Sequence, residues 1–248
     1  MANLEVSTIV KPEVQVQKFE FNSNVNRFMQ PFRMMIAGPS QSGKSSFILE
    51  LLKHRNELFS TSFARIIYFV PSNNIDAHQE FIQKLKTVYP DLEIQTDLPK
   101  LSDIKGDRLS KLFIMDDLMN VVFNHPMMEE VFSQNSHHQN LSIIFTTQNY
   151  FASSKNRTII RQTNYKIIFN DPSDKTLMRN ISCQISGSMP QFLSRCFKTL
   201  EEFYPKDNFS YILIDSNAVS PLKKFQVRSK ILPESDGKIR PVCFFSED

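Results

Sequence analysis

The stretch Arg33–Glu50, RMMIAGPSQSGKSSFILE, constrains what this chain can fold into more than any other. A short apolar run, Met34 to Ala37, opens into Gly38-Pro39-Ser40-Gln41-Ser42-Gly43-Lys44-Ser45, which fits G-x-x-x-x-G-K-[ST] at every fixed position. Gly38 and Gly43 let the backbone turn tightly and approach an anion with no Cβ in the way. The N–H groups of the loop can then converge on phosphate, helped by the positive end of a helix that starts near Lys44, with residues Gly38 through Ser46 forming the nucleotide cradle. Lys44 brings a mobile charge for the β and γ oxygens of ATP, and Ser45 offers a hydroxyl to Mg²⁺. The flanks agree: an apolar strand enters, and Ser46–Lys53 leaves with helical periodicity. The plainer alternative is a Gly/Ser-rich surface turn that happens to carry a lysine.

A second stretch, Leu112-Phe113-Ile114-Met115-Asp116-Asp117, runs from apolar residues straight into two carboxylates. A buried parallel strand that ends in Asp places that charge at the edge where open α/β sheets bind ligands. The expected roles are Mg²⁺ partner, through water, for Asp116 beside the Ser45 hydroxyl, and polariser of the attacking water for Asp117. Many phosphate-loop ATPases carry Glu at the second position. Asp is one methylene shorter, so its reach must come from backbone placement or a bridging water. The plainer alternative is that Asp117 caps the segment Leu118-Met119-Asn120.

A third strand, Ser142–Thr147, ends in Gln148-Asn149. An amide both donates and accepts, so Gln148 can contact a γ-phosphate and a lytic water together. The alternative is a polar strand cap, with Thr146 and Thr147 present as strand formers.

Strand and helix patterns alternate along the chain. Strands are expected at Arg33–Ala37, Ala64–Val70, Leu92–Thr96, Leu112–Met115, Leu141–Thr147, Tyr165–Phe169 and Tyr211–Ile214, with another over Lys224–Leu232. Helices are expected at Lys44–Lys53, Ala77–Val88, within Asp97–Arg108, and at Pro126–His138, Ser153–Thr163, Asp174–Ile185 and Pro190–Glu202. The fold class is α/β: a mostly parallel sheet covered by helices on both faces. Residues 1–27 read as an N-terminal arm, in which Glu13–Phe21 alternates like an edge strand, and 28–248 as one domain with a C-terminal strand extension. At 248 residues, 41% hydrophobic and 22% charged, the chain can bury one substantial core. Net charge +3 and pI ≈ 8.7 permit a nucleic-acid partner without arguing for one. Cys183, Cys196 and Cys243 form no C-x-x-C pair, so the default is a reducing intracellular setting with no zinc site. The start, MANLEVSTIVKPEV, lacks an apolar run of signal-peptide length, and no stretch approaches the ~20 apolar residues of a membrane helix.

Taken together, Gly38–Ser45, IMDD at Ile114–Asp117 and FTTQN at Phe145–Asn149 resemble the FtsK/HerA class of phosphate-loop ATPases, with its RecA-like fold. Within that class the chain is most similar to viral genome-packaging ATPases of the poxvirus, Polinton/Maverick and adintovirus type. NYKIIFN at Asn164–Asn170 and SYILIDSNAVSP at Ser210–Pro221 resemble their downstream strands, and the likeness runs from about Phe32 to Leu232. It implies that the Gln148 strand lies between the Arg33–Ala37 and Leu112–Asp116 strands. It also implies a Mg²⁺-dependent ATPase that translocates double-stranded DNA into a capsid, working as a homo-oligomeric ring, pentamer or hexamer, with capsid protein as a further partner. The setting would be the host nucleus, a viral assembly site or the virion, with no membrane involved.

Ring ATPases of this kind commonly complete the site with an arginine from the next subunit, worth roughly 10³–10⁵ in rate. Arg161 is the first candidate and Arg157 the second; their i, i+4 spacing puts both on one helix face, which could also be a solvated basic face. Arg179 and Arg195 are weaker candidates. Lys155, Lys223, Lys224, Arg228 and Lys230 are candidate contacts to DNA phosphates, and His137-His138 reads as structural. Two rival functions stay open from the residues alone. One is a nucleotide or small-molecule kinase, with Asp174–Glu202 supplying a lid. The other is a non-hydrolysing nucleotide-binding scaffold.

Overall fold

The computed structural model describes residues 8–11, 14–20, 27–96, 98–100, 104, 108–122, 125, 128, 131–132, 140–148, 150, 157–187, 189–207, 209–217 and 226–246. Its strands are Thr8–Lys11 (β1), Val14–Lys18 (β2), Arg33–Ala37 (β3), Arg65–Val70 (β4), Glu93–Thr96 (β5), Lys111–Met115 (β6), Leu141–Thr147 (β7), Tyr165–Phe169 (β8), Tyr211–Asp215 (β9), Val227–Ser229 (β10) and Val242–Phe245 (β11). Its helices are Lys44–Lys53 (α1), Arg55–Leu58 (α2), Ile75–Val88 (α3), Met119–Val122 (α4), Arg157–Arg161 (α5), Lys175–Ile185 (α6) and Phe192–Phe203 (α7).

All the strands join one 11-stranded sheet in the order β1-β2-β11-β10-β9-β8-β3-β7-β6-β4-β5. From β8 to β5 every pairing is parallel. From β8 outward to β1 every pairing is antiparallel. The glutamine-bearing strand β7 lies between β3 and β6, as the resemblance implies.

The central strands β3, β6 and β7 are buried at every position, which is why their sequences are near-continuous apolar runs. Alternate side chains then serve opposite faces. Met34, Ile36, Tyr68, Ile114 and Ile144 share one apolar layer with Phe47, Ile48, Leu51 and Leu52 of α1 and Ile82 and Leu85 of α3. Met35, Ala37, Phe69, Phe113, Met115 and Phe145 share the other with Met178 and Ile181 of α6 and Leu193, Phe197 and Leu200 of α7. Fully burying each such side chain is worth about 1.5–3 kcal/mol. The chain has a mixed α/β sheet, parallel at its core and antiparallel along one flank.

Several expectations shift. The alternating N-terminal segment forms β2, but β1 folds back on it, so β2 is not the edge. β2 also pairs with β11, tying this segment into the main sheet; Val16 faces Phe244 across that pairing. The strand expected over Lys224–Leu232 is confined to Val227–Ser229. Of the helix expected over Ser153–Thr163, the described part is Arg157–Arg161. Most of Asp97–Arg108 and Pro126–His138, including His137 and His138, lies outside the described residues. Among the described residues, no helix is long and apolar enough to cross a membrane.

Candidate active site

The phosphate-loop motif follows β3 directly and leads into α1. Gly38 N–H donates to the Thr147 carbonyl (3.2 Å), which fixes the start of the loop to the end of β7. A Cβ at Gly38 would fall 2.7 Å from Phe169 Cβ and 2.8 Å from Ser42 Oγ, so the demand for glycine here is close packing against β8. At Gly43 the demand is conformational, since its φ is +100°. Gln41 also sits in the left-handed region, at φ 61°. The first intrahelical bond runs from Phe47 N–H to the Gly43 carbonyl (2.9 Å). Helical geometry therefore leaves the N–H groups of Lys44, Ser45 and Ser46 without intrahelical acceptors, and Gly43 has no side chain to cap them. The Ser42 hydroxyl is buried with no hydrogen-bond partner in the protein. A turn of this shape, with outward N–H groups and an orphaned hydroxyl, suits an oxyanion.

Lys44 spans the loop. Its Nζ donates to the Gly38 carbonyl (2.8 Å) and the Pro39 carbonyl (2.7 Å). Burial pushes its ammonium below the ordinary lysine range, and the negative charges of Asp116 and Asp117 pull it part of the way back. The lysine and both carboxylates thus share one electrostatic site.

Strand parity explains where Asp116 lies. Ile114 and Ile144 face the α1 layer, so Asp116 and Thr146, each two residues further on, return to the same face of the sheet. There the Asp116 carboxylate is 5% exposed and held by two hydroxyls. Tyr68 Oη donates to Oδ2 (2.7 Å) and Thr146 Oγ1 donates to Oδ1 (2.6 Å). Each oxygen keeps a further acceptor direction, so Asp116 can still receive a metal-bound water. Among the described residues no group of three or more His, Cys, Asp or Glu forms a preassembled metal cage.

Thr146 does more than form strand. Its hydroxyl also accepts from the Asp117 N–H (3.0 Å), where the backbone turns into the left-handed region at φ 56°. Asp tolerates that region better than most residues. The Asp117 side chain is exposed at the strand end. Behind Tyr68 stands His78, with Nδ1 3.1 Å from the phenol oxygen. Tyr68 Oη gives its proton to Asp116, so the network assigns the His78 proton to Nδ1. Burial, followed by the Asp116 charge, pushes the Tyr68 pKa far above the ordinary phenol value. Sequence reasoning missed Tyr68 and His78 and read Thr146 as a strand former. Strand order together with parity is the signal that could have found Thr146.

Gln148 follows Thr147 at the same sheet edge as Gly38 and is exposed; Asn149 is outside the described residues. Arg161 is placed elsewhere. It closes α5, just before β8, where Asn164 N–H donates to the Arg33 carbonyl (2.9 Å) and Asn164 Oδ1 accepts from Arg33 N–H (2.9 Å). That is the opposite edge of the sheet from the loop, a strand length of roughly 17 Å away. Arg161 therefore cannot serve its own loop. Arg157 begins the same helix, and its side chain is outside the described residues. Two candidate DNA contacts need correction. Arg228 is buried against Asp215 (3.1 Å), with side chains 3% and 1% exposed. Lys230 is bound to Asp207 and lies 4.4 Å from the centre of the Tyr204 ring. Lys155, Lys223 and Lys224 are outside the described residues.

No curated protein matches the chain. Solved structures with a similar chain course include B204, the genome packaging NTPase of Sulfolobus turreted icosahedral virus 2, in complex with ATP-gammaS. That match has 16% identity, covers 80% of this chain and 95% of the other, and has TM-score 0.42. The DNA-packaging ATPase B204 of Sulfolobus turreted icosahedral virus matches at 15% identity over 75% and 93%, TM-score 0.45. The KaiC-like protein PH0186 of Pyrococcus horikoshii OT3 matches at 8% identity over 85% and 89%, TM-score 0.44. A family model described as Poxvirus A32 protein matches residues 17–216, a span that holds the loop, the paired aspartates and the glutamine strand. The chain belongs to the poxvirus A32 protein family, whose members are viral genome-packaging ATPases.

Proposed function

We propose that this chain hydrolyses Mg²⁺-bound ATP and couples hydrolysis to translocation of double-stranded DNA into a capsid. One observation carries the reading: Asp116 is anchored by Tyr68 and Thr146 on the α1 face of the sheet, while Lys44 lies in the field of both aspartates. In use, Lys44 exchanges its Gly38 and Pro39 carbonyls for β and γ oxygens. The loop of residues 38–46 wraps the phosphates, and the N–H groups of Lys44, Ser45 and Ser46 at the start of α1 point to them. The Ser45 hydroxyl and Asp116 hold the metal, which supplies charge neutralisation on the triphosphate. Asp117 orients the attacking water, and Gln148 reports whether a γ-phosphate is present.

The functional unit in this reading is a homo-oligomeric ring, pentamer or hexamer. Arg161, with Arg157 second, enters the next subunit's site, since its own loop is at the other edge of the sheet. DNA is held through its backbone, capsid protein is the docking partner, and the expected arm of residues 1–27 contributes β1 and β2 to the sheet of the 28–248 ATPase domain. An Arg supplied in trans fits the family's ring chemistry and is worth roughly 10³–10⁵ in rate.

The test is Mg²⁺-dependent ATP hydrolysis with and without double-stranded DNA. Lys44→Ala is expected to abolish turnover while cooperative unfolding persists. Absence of hydrolysis by protein with intact Lys44, in both conditions, would refute the motor. Tight ATP binding without turnover, even in assembled oligomers, would point to the scaffold instead.

A further inference from the structure

A cavity of about 330 Å³ opens beside the phosphate loop, and Gly43, Ser46 and Phe47 line one wall of it. Its outer wall carries Phe209, the residue before the short link into β9, and this large apolar side chain is 52% exposed. The ring does not float. A Cβ on Gly43 would lie 3.0 Å from Phe209 Cδ1 and 3.2 Å from Cγ, so the ring is packed over the loop glycine. Its position is fixed from behind. Asp207 Oδ1 accepts from Phe209 N–H (3.1 Å), while Asp207 Oδ2 receives the Lys230 ammonium. Lys230 itself adopts φ 54° and lies over Tyr204, so β10 and the α7 end hold the Phe209 turn in place. Single exposed apolar side chains are ordinary on a surface; what sets Phe209 apart is that it is braced over the loop glycine and lines the wall of a cavity next to it.

We infer that Phe209 is a stacking platform for the purine base of the nucleotide whose phosphates the loop holds. Asp207 and Lys230 are positioning residues for that platform. The inference rests on the nucleotide-binding reading of the loop. Continuity supports it: Ser46 lies both in the loop's phosphate cradle and in the cavity wall, so a nucleotide leaving the cradle past Ser46 meets Phe209 next. The cavity volume falls within the 300–1,000 Å³ range of small-molecule sites. Base–aromatic stacking tolerates any purine and contributes enough to change affinity by tenfold or more.

The experiment separates base from phosphates. Binding of ATP and of inorganic triphosphate, each with Mg²⁺, is measured by calorimetry for the full chain and for Phe209→Ala, Phe209→Leu and Phe209→Tyr. Expected is a loss of ATP affinity of roughly tenfold or more in Phe209→Ala, an intermediate loss in Phe209→Leu, restoration in Phe209→Tyr, and unchanged triphosphate binding throughout. The chain contains no tryptophan, so Phe209→Trp supplies a single indole, whose emission should respond to ATP and not to triphosphate. Equal losses for ATP and triphosphate, or no loss for either, overturn the platform. If the unaltered chain binds ATP no tighter than triphosphate, the platform fails while the phosphate loop stands. If it binds neither, the nucleotide-site reading fails with it.

Discussion

Tyr68→Phe removes a single oxygen from a side chain of zero exposure, and the structure says what that oxygen does. It donates to Asp116 Oδ2 at 2.7 Å and accepts from His78 Nδ1 at 3.1 Å. A hydrogen bond to a charged group contributes about 1.5–3 kcal/mol, and the vacated volume is too small to add much cavity cost. The expected destabilisation is therefore about 2 kcal/mol, read from urea unfolding with an unchanged m value. Burial keeps the phenol protonated, so no loss of the donor through ionisation should intrude near neutral pH. The decisive comparison is the same substitution in an Asp116→Ala background. Without the acceptor, the hydroxyl is a buried donor with less to bind, and deleting it should cost far less or nothing. If Tyr68→Phe costs the same in both backgrounds, its effect does not pass through Asp116 and the anchoring argument is wrong. A second readout follows from the proposed ATPase: an Asp116 with one anchor should need more Mg²⁺ for half-maximal turnover.

Two further substitutions test the buried charges. Lys166 is buried enough for its pKa to fall from 10.5 to about 8. Below pH 8 both folded and unfolded chains are protonated and the folded state bears the full burial cost; between about 8 and 10.5 the folded chain sheds its proton first and gains stability. Lys166→Met should thus exceed the unaltered chain in stability at pH 7, by an advantage that shrinks as pH rises from 8 to 10; a pH-independent difference contradicts the assignment. Arg228→Ala should cost about 3–5 kcal/mol in chemical denaturation because it removes the cation that pairs with the buried Asp215 carboxylate. The exposed Arg161→Ala should stay within about 0.5 kcal/mol, and equal small effects would mean the Arg228–Asp215 pair is not formed.

Much of the site could be read from the chain because its signals are local. The glycine spacing of 38 to 43, the run into Asp116 and the run into Gln148 each lie within one strand and its exit. What could not be read depends on pairing between distant segments. The pairing of Val16 with Phe244 carries no mark in either segment, so although strands were expected near β2, β9 and β10, their antiparallel pairing and strand β11 were not legible. Arg228 looked like a surface cation because its partner, Asp215, belongs to the preceding strand and only the register brings them together. Phe209 looked like one phenylalanine among many. Its place over Gly43 exists because β9 pairs beside β8, which itself flanks β3.

The parity of the central strands links core and chemistry. Tyr68 is a core residue by burial, and so are Ile114 and Ile144 on the neighbouring strands. Two residues further along β6 and β7, the same alternation delivers Asp116 and Thr146 to the same face, and Tyr68 reaches across to bind the carboxylate. A one-residue register slip in β6 would send Asp116 to the opposite face, away from α1, and would exchange the core set Leu112 and Ile114 for Phe113 and Met115. The apolar layers therefore enforce the register that the site requires. Energetically the two are not separable: fully burying each large side chain of these strands is worth about 1.5–3 kcal/mol, similar to each hydroxyl bond on Asp116. The carboxylate is thus held by bonds comparable in strength to the packing beside it, and a core substitution that loosens β6 should disturb Asp116 before it unfolds the domain.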